Sequence, residues 1–411
     1  MMTIVALEFL TFGLGRLASA AWARGERLCL LTGDRTRYHH ELANCKTGAI
    51  TVIDVDTFDV EDVKSAIDKI DDVRGLINTT DMWSLLSLEL AKHFGFARQD
   101  PDFVRLVRDK FALRNLLHEN GLSAGKSVIV NPKQKADLHK IGNLSAYPLI
   151  VKDSAGTGSE YVWLAETERE LVSMLEKARA VELRGGHVTI EPYFIGTLYS
   201  AETLTWEGET RILAISSRIM SPEPMFREEA TSLPVRFGEE ATQHLRKWLS
   251  KVLDTVGCRN GFSHTEFIVT RDGFEIVEIN PRLGGCQIGE ALCRIYATNI
   301  YDALIDMALG RRPTLLDSKW TERLGFAMAF LYAGEPGRFL KVRGLERIAN
   351  HPGNPEFHPT AREGKTIPTI EDQRAGVGIV TATGLTSEIA MHNVLAARNK
   401  LHVHLEKAAH G

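Results

Sequence analysis

The first hundred residues alternate between short apolar runs and longer amphipathic segments. The amphipathic segments, including those near 60–70 and 83–94, have the length and spacing of helices, and another helix follows the glycine turn at 13–15. The apolar runs have the length of buried strands and lie at 3–8, 27–32, 49–54 and 73–78. Strands that alternate with helices in this way predict a parallel sheet.

A different pattern begins near Ser127. The segment 101–120 before it is predicted as one helix that ends at Asn120-Gly121. A helix is predicted at 167–180, and longer alternating strands follow near 198–206 and 210–217. Shorter strands are predicted at 127–130, 148–152, 160–164 and 187–191. This mixture indicates an α+β region rather than a continuation of the parallel sheet.

Two alternating segments, 261–269 and 273–280, are separated by a glycine-containing turn and predict a β-hairpin. Helices are predicted on either side of it, at 239–256 and 288–309. From about residue 320 onward the chain is predicted to form a smaller mixed domain.

Composition and charge narrow the classes of function. The chain has 411 residues, 44% of them hydrophobic and 25% charged, with a formal net charge of −4. This balance argues against a general nucleic-acid or membrane-surface binder. Five cysteines without a CxxC pair fit a reducing compartment, and we expect a cytoplasmic protein. The apolar stretch 9–23 is interrupted by Arg16, so it is interpreted as buried strand and helix rather than a leader.

The predicted hairpin carries the first candidate chemistry. Residues two apart on a strand face the same side, so His264 and Glu266 share a face, as do Glu278 and Asn280 on the partner strand. Two carboxylates and an amide oxygen suit Mg²⁺ better than zinc. By itself the pattern is equally compatible with a solvated hairpin surface.

The residues after the hairpin favour a functional site. Arg282 places a cation beside the carboxylates, and Gly284 and Gly285 add flexible backbone. A surface hairpin has no need of this combination.

A strand that ends in Lys152 precedes a second candidate site. The loop after it offers close backbone approach and hydroxyl donors at Gly156, Thr157, Gly158 and Ser159. No GK[ST] sequence follows, so this is not a Walker A loop. We interpret the loop as a flap over phosphates, with a simple hairpin turn as the alternative.

Two further positions could serve a nucleotide. A strand ends in Glu191 and passes into an apolar segment that contains Phe194, an arrangement that can hold a purine; a plain strand exit is the alternative. Lys110 lies on the helix before this region and could provide a second cation for a polyphosphate, or it could be an ordinary surface lysine.

The order of these features resembles the ATP-grasp superfamily over about residues 3–310. The glutamate at 266 and the Glu-x-Asn-x-Arg sequence at 278–282 are the most specific part, and His264-Thr265-Glu266 is similar to the branch that contains L-amino-acid ligases. The implied fold class is α/β and α+β. It comprises a Rossmann-like domain at 1–105, a small ATP-grasp lobe with the flap at 106–198, a large lobe with the metal site at 199–318 and a C-terminal mixed α/β domain at 319–411.

The resemblance also implies roles and ligands. Lys110, Lys152 and the flap would contact ATP phosphates, Glu191 and the backbone near Phe194 would hold adenine, and Arg282 would stabilise the transferring phosphoryl group or the acyl-phosphate. The metal ligands for Mg²⁺, with Mn²⁺ as the alternative, would be Glu266, Glu278 and Asn280. The implied reaction joins a small-molecule carboxylate to an amine through an acyl-phosphate, and a homodimer is a family-level expectation.

The substrate side is less constrained. Leu198 stands where many members of the superfamily carry an acid, which puts ribose contacts in doubt and directs Glu202 towards the metal or the substrate. The other candidate substrate contacts are Arg218, His264, Gly284 and Gly285.

Two alternative functions compete with a ligase. The strand at 3–8 and Gly13-x-Gly15-x-x-Ala18 match the fingerprint of an NAD(P)-dependent reductase, although the segment 9–12 lengthens the turn. A non-catalytic nucleotide-binding module is the other alternative, but pure binding would not require the full set of charged residues.

Overall fold

The computed structural model of the protein describes residues 2–134, Ile141 and 147–406. Within these residues the α-helices, numbered α1 to α12 in chain order, are Leu14–Ala23, His39–Ala43, Val60–Asp68, Ser84–Phe94, Pro101–Arg108, Lys110–Glu119, Glu168–Ala180, Glu239–Thr255, Ile288–Tyr296, Asp302–Ala308, Leu345–Ile348 and Ser387–Arg398. The strands β1 to β19 are Thr3–Leu7, Arg27–Thr32, Ile50–Asp54, Val73–Ile77, Val128–Val130, Leu149–Asp153, Val162–Ala165, Val188–Pro192, Thr197–Trp206, Glu209–Met220, Glu228–Leu233, Gly261–Val269, Phe274–Asn280, Gly325–Tyr332, Gly337–Arg343, Glu356–Pro359, Thr366–Ile367, Gly376–Gly384 and His402–Glu406.

The first domain contains the parallel sheet predicted from the alternating pattern. Its four strands lie in the order β3-β2-β1-β4, and all their pairings are parallel. Every residue of β1 is buried, because helices pack on both faces of the sheet and leave no polar side for the strand. The connections place the carboxyl ends of these strands at one edge, which faces the rest of the molecule through the loop after β4.

The second region is a small antiparallel sheet in the order β5-β8-β6-β7, with α7 packed against it. Strands β6 and β7 pair directly, and the loop between them is the predicted flap. The flap is therefore a short glycine-rich hairpin loop that projects from two paired strands.

The third sheet has eight strands in the order β13-β12-β9-β10-β11-β14-β18-β16. The predicted hairpin forms its first two strands. Strands β14, β18 and β16 come from the C-terminal part of the chain and extend this sheet through the β11–β14 pairing. A further small sheet, β17-β15-β19, packs beyond it.

Two predicted helices are wrong in extent, because each is a pair of shorter helices. Asp109 has an extended backbone and accepts hydrogen bonds from the amides of Phe111 and Ala112, so it ends α5 and caps α6. Ala297 adopts a left-handed backbone conformation, with a φ of +47°, and ends α9 before α10 begins at Asp302.

The domain limits predicted from the sequence fall within elements or between paired strands. The limit at 105/106 lies inside α5, the limit at 198/199 lies inside β9, and the sheet continues across 318/319 through β11 and β14. We propose limits near residues 96–100 and 193–196 instead. Residues 1 and 407–411, at the outer limits of the first and last domains, lie outside the described residues, as do 135–140 and 142–146 within the small lobe.

Among the described helices, none has both the length and the apolar character required to cross a membrane.

Candidate active site

The hairpin brings its polar residues together in two rows. Glu266 on β12 is paired directly opposite Glu278 on β13, and His264 is paired opposite Asn280. The neighbouring strand β9 continues the second row with Glu202 opposite His264. Directly opposite residues share a face of the sheet, so the predicted convergence of these side chains is confirmed.

Glu266 and Glu278 line a cavity of about 480 Å³ between the small sheet and the large one. The two predicted lysines and all four flap residues also line this cavity. Its lining includes Lys110, Lys152, Gly156, Thr157, Gly158, Ser159, Glu191, Phe194, Glu266 and Glu278. Residues that are far apart in the sequence therefore line one charged chamber. The lining does not include Asn280 or Arg282, and Arg282 lines a neighbouring cavity together with Asn78 and Thr79 of the first domain.

Lys110 connects the flap to the hairpin. Its Nζ donates to the carbonyl oxygen of Gly156 at 2.7 Å and lies 3.9 Å from Oε2 of Glu278. Burial lowers the pKa of this ammonium, although Glu278 raises it in part. The side chain begins at the first residue of α6, so Asp109, which caps that helix, also fixes the base of Lys110.

Glu191 has a different environment from the one predicted for an adenine acceptor. It forms an ion pair with Lys152, and its other oxygen lies 3.5 Å from Nε of Arg114. Burial raises the pKa of Glu191, but Lys152 and Arg114 outweigh this effect and lower it overall. The carboxylate is thus engaged with two cations, and the guanidinium of Arg114 also lies 5.0 Å from the ring centroid of Phe194.

The two hairpin carboxylates are compensated by cations of the protein itself. Glu266 pairs with Arg218 and lies 3.2 Å from Nε2 of His264, while Glu278 accepts from Nδ2 of Asn280 at 2.9 Å. Burial raises the pKa of Glu266, but Arg218 and His264 lower it to about 2. In the part of the chain that the structure describes, no three His, Cys, Asp or Glu side chains are grouped as a preformed metal centre.

The donor set nevertheless suits a hard divalent cation. Two carboxyl side chains face each other across the strands, and Mg²⁺ commonly takes only one or two protein carboxylates and completes its shell with water and phosphate oxygens. In the protein alone, Arg218 and Lys110 balance the negative charge of these groups.

His264 is held between two glutamates. Its Nδ1 bonds Oε1 of Glu202, and Oε2 of Glu202 accepts from the amide of Gly284 at 2.9 Å. Burial alone would lower the pKa of His264, but Glu202 and then Glu266 raise it to about 9. A Cβ at Gly284 would lie 2.8 Å from Glu202 and 2.9 Å from His264, so only glycine allows the chain to approach them this closely.

Arg282 meets a partner that the sequence interpretation missed. Its Nε donates to Oδ2 of Asp81 at 2.9 Å, its Nη2 bonds the same oxygen, and its Nη1 donates to the carbonyl oxygen of Leu283 at 3.0 Å. Asp81 belongs to the first domain and is 201 positions away, so no local pattern could indicate the contact.

The lining also contains polar residues to which the sequence motifs assigned no individual role, among them Arg114, Glu228 and Gln373. Arg114 lies four positions after Lys110 in the same helix, a spacing that could have suggested a second inward-facing cation. Glu228 lies 3.2 Å from Nη1 of Arg218. Gln373 comes from the C-terminal region, and nothing in its sequence neighbourhood indicates a nucleotide site.

Two further residues that the sequence analysis considered near the substrates are Leu198 and Gly285. Leu198 lies in the cavity wall, where it offers no polar contact to a ribose. Gly285 precedes α9, and its amide environment is open, since a Cβ there would meet nothing within 4 Å.

The dinucleotide fingerprint in the first domain has a packing role. The amides of Gly13 and Gly15, where a pyrophosphate would bind, both donate to Oε2 of Glu41, at 3.1 and 2.9 Å. Tyr301 packs so closely that a Cβ at Gly13 would lie 2.0 Å from its hydroxyl oxygen. The helix N-terminus is therefore already occupied by a carboxylate of the protein, which argues against the reductase alternative.

Two family models match the chain. A model of the ATP-grasp domain matches residues 145–290, and a model described as L-amino acid ligase C-terminal domain 2 matches residues 329–406. The first match contains the flap and the hairpin carboxylates. The second begins within β14 and covers the C-terminal strands that extend the large sheet.

The chain is also similar to individual proteins and to solved structures. The Sinorhizobium fredii protein y4rH is 24% identical over 365 residues, which cover 86% of this chain and 72% of that protein. A D-alanine–D-alanine ligase of Flavobacterium psychrophilum is 26% identical over 211 residues, which cover 48% of this chain and 63% of the ligase. An L-amino acid ligase of Bacillus licheniformis has the same fold, with a TM-score of 0.82, 16% identity and 99% of both chains covered.

Proposed function

The chain belongs to the ATP-grasp superfamily of carboxylate–amine ligases, and we propose that it joins an amino acid or small carboxylic acid to an amine or a second amino acid. The bond would form through an acyl-phosphate, with release of ADP and phosphate. The observation that carries the proposal is the cavity in which Glu266 and Glu278 face Lys110 and Lys152.

The charges in this cavity suit the first step. A carboxylate oxygen attacks the γ-phosphorus, the bond to the β,γ-bridging oxygen breaks, and ADP leaves. Both reactants are anionic, so cations must hold them in line and neutralise their charge. We assign this role to Lys110, Lys152 and Arg282, while the flap from Gly156 to Ser159 covers the phosphates.

Mg²⁺ bound between the two lobes would neutralise phosphate oxygens as a Lewis acid. Its protein ligands would be Glu266, Glu278 and Asn280. We propose that Arg218 and Lys110, which balance these carboxylates in the protein alone, shift towards substrate oxygens when the cation enters. Glu191 would then position Lys152, and adenine would rest near Phe194 through backbone contacts.

In the second step a neutral amine attacks the acyl carbon, the carbon–oxygen bond to phosphate breaks, and an amide forms while the proton lost from nitrogen leaves with the phosphate. We assign to Arg282 the stabilisation of the charge of the acyl-phosphate. Glu202, His264, Gly284 and Gly285 would shape the substrate end of the cavity.

A substrate screen tests the proposed function. ADP and phosphate release would be measured with amino acids and small di- and tricarboxylic acids, singly and in pairs, and the products would be identified by mass spectrometry. Release that requires two substrates, one of them an amine, together with an amide product, is the expected result. Release with a single acid would indicate a kinase and contradict the proposal.

A variant tests the assignment of Arg282. Because Arg282 contacts neither flap nor lysines in the structure, Arg282→Ala should lower turnover by about 100-fold or more while MgATP binding changes little. Unchanged turnover would remove Arg282 from the mechanism.

We further propose a cytoplasmic location and a homodimer. The five cysteines, all within the described part of the chain, are free thiols, which fits a reducing compartment. Fractionation of cells and light scattering of the purified protein would test these two points.

A further inference from the structure

The loop of the first domain that contains Asp81 is held by side-chain hydrogen bonds at both of its ends. It follows β4, and the side chain of Asn78 closes its beginning by donating to the carbonyl oxygen of Thr80 at 2.8 Å. The hydroxyl of Ser84 closes its end by donating to the carbonyl oxygen of Asp81 at 2.7 Å. Asp81 is thus fixed from both sides before its carboxylate meets any partner.

The carboxylate of Asp81 accepts side-chain hydrogen bonds from Arg282 and forms a longer ion pair with Arg108. The side chain of Asp81 is 8% exposed and that of Arg282 is 15% exposed, so water screens the pair weakly. Oδ2 of Asp81 accepts both hydrogen bonds from Arg282, whereas Oδ1 is buried without a hydrogen-bond partner in the described structure, 3.7 Å from Nη1 of Arg108. Such a group is costly to bury for stability alone.

The geometry restricts what Arg282 can do. A guanidinium has five N–H donors, and Asp81 and the carbonyl oxygen of Leu283 take three of them. The two remaining N–H groups lie on Nη1 and Nη2 and share one fixed plane. The orientation of this plane is set by a residue of the first domain, although Arg282 itself follows the hairpin of the large lobe.

We propose that Asp81 is a positioning residue for Arg282, so that the first domain completes the catalytic site of the ATP-grasp lobes. This assignment rests on the proposed function, in which Arg282 stabilises the acyl-phosphate. Asp81 keeps the two free N–H groups of Arg282 directed at one place and limits their net positive charge. Small displacements of such groups are costly, since about 1 Å can reduce turnover by about 100-fold.

The assignment predicts a separation of kcat from KM. Asp81→Asn keeps the size of the side chain but releases Arg282, so kcat should fall by about 30- to 100-fold while KM for ATP changes less than about 3-fold. KM for the carboxylate substrate should stay equal or decrease, because the arginine is no longer neutralised.

A matched variant separates positioning from general stability. Asp306 is also a buried aspartate that pairs with an arginine of the first domain, Arg24, at 2.7 Å, and the hydrogen bonds described for its carboxylate go to Arg24 and Thr314 rather than to Arg282. Asp306→Asn should lower the melting temperature and leave kcat within about 2-fold of the unmodified protein.

Two more variants keep the test decisive if Asp81→Asn folds poorly. Asp81→Glu retains the charge and advances the carboxylate by one methylene, so kcat should fall at least 10-fold with a nearly unchanged melting temperature. In an Arg282→Lys background, Asp81→Asn should change kcat by less than about 3-fold, because the residue it positions is already absent.

The experiment measures steady-state kcat and KM of the full chain with the acid and amine identified by the screen, together with thermal melts with and without MgATP. Turnover of Asp81→Asn or Asp81→Glu equal to that of the unmodified protein would overturn the positioning role, as would full additivity with Arg282→Lys. If the unmodified protein forms no product with any pair, the proposed function fails and this assignment fails with it.

Discussion

Single residues in this protein often serve packing where the sequence suggests a ligand. Gly13 is an example: it belongs to a dinucleotide fingerprint, yet it adopts a φ of +101° and lies against Tyr301. Glu41 accepts the hydrogen bonds of the two backbone amides that a bound phosphate would otherwise accept. A fingerprint of glycines specifies a tight turn and close approach, and both a phosphate and a tyrosine can exploit that space.

Replacement of Gly13 tests this packing role. Gly13→Ala should destabilise the protein by roughly 2–4 kcal/mol, because its Cβ would overlap Tyr301 in addition to the unfavourable φ. Gly25→Ala is the control: φ is +68° there, but the Cβ would meet nothing within 4 Å, so the cost should be about 1 kcal/mol. Urea unfolding monitored by fluorescence would compare them. Equal costs would mean that the contact with Tyr301 is unimportant.

A second substitution of a single residue, Glu278→Gln, tests whether the hairpin is a metal site. Glu278→Gln keeps the shape of the side chain but weakens the attraction for a divalent cation, so stabilisation by MgATP in a thermal melt should disappear and turnover should fall about 100-fold. Asp272→Asn, at the exposed turn of the same hairpin, should behave like the unmodified protein. Retained protection of Glu278→Gln by MgATP, with protection by ATP alone absent, would contradict the metal assignment.

At the scale of elements, the flap is fastened by the C-terminal region. Glu160, next to the flap residues, lies 3.3 Å from Nη1 of Arg374, and the guanidinium of Arg374 lies 5.5 Å from the ring centroid of Tyr161. Asp372 holds the other side of Arg374. The segment that follows β17 therefore limits how far the flap can open.

Removal of this contact should loosen the flap. Arg374→Ala is expected to raise KM for ATP by about 3- to 10-fold with little change in kcat, and to speed proteolytic cleavage within 154–161 in the absence of ATP. The pair is partly exposed, so the expected effect is modest. Arg338→Ala, which removes an exposed ion pair with Glu406 in the same region, should change neither quantity. Equal cleavage rates for the two variants would rule out the fastening role.

The elements also show what the sequence could and could not predict. The strands of the first sheet and the hairpin follow from local periodicity, and the opposition of Glu266 and Glu278 follows from a two-residue repeat around a short turn. The contact of Asp81 with Arg282, the pairing of β11 with β14 and the Glu191–Arg114 pair join distant segments. No periodicity encodes such contacts, because they depend on how finished elements pack.

At the scale of the whole molecule, a series of ion pairs links the first domain, helix α9 and the C-terminal region. Arg16 of the first domain pairs with Glu290 at 2.7 Å, Glu290 also pairs with Arg294, and Arg294 pairs with Glu356 of the C-terminal region at 2.8 Å. Next to these ion pairs, His358 of the C-terminal region packs against the first domain, with its ring centroid 5.7 Å from that of Phe12. The relative placement of the domains is thus tied to the charge state of this interface.

His358 makes that interface sensitive to acid. Burial, together with Arg294 and His40, lowers its pKa to about 4 although Glu356 acts in the opposite direction. An unfolded histidine has a pKa near 6.5, so between these values the unfolded chain binds a proton that the folded chain does not. The contribution of His358 to stability is therefore complete above about pH 6.5 and decreases as the pH falls towards 4, by on the order of 3 kcal/mol.

His358→Gln should remove this part of the acid sensitivity, because glutamine does not titrate and can keep the hydrogen bond to Thr381. Thermal melts of the ligand-free protein at pH 6.5 and 4.5 would show a smaller loss of melting temperature for the variant than for the unmodified protein. Other groups also titrate in this range, so the comparison is between slopes, with His93→Gln at an exposed position of α4 as the control. Equal slopes for all three proteins would show that His358 is not a determinant of acid stability, and that the contact between the first domain and the C-terminal region does not depend on its charge.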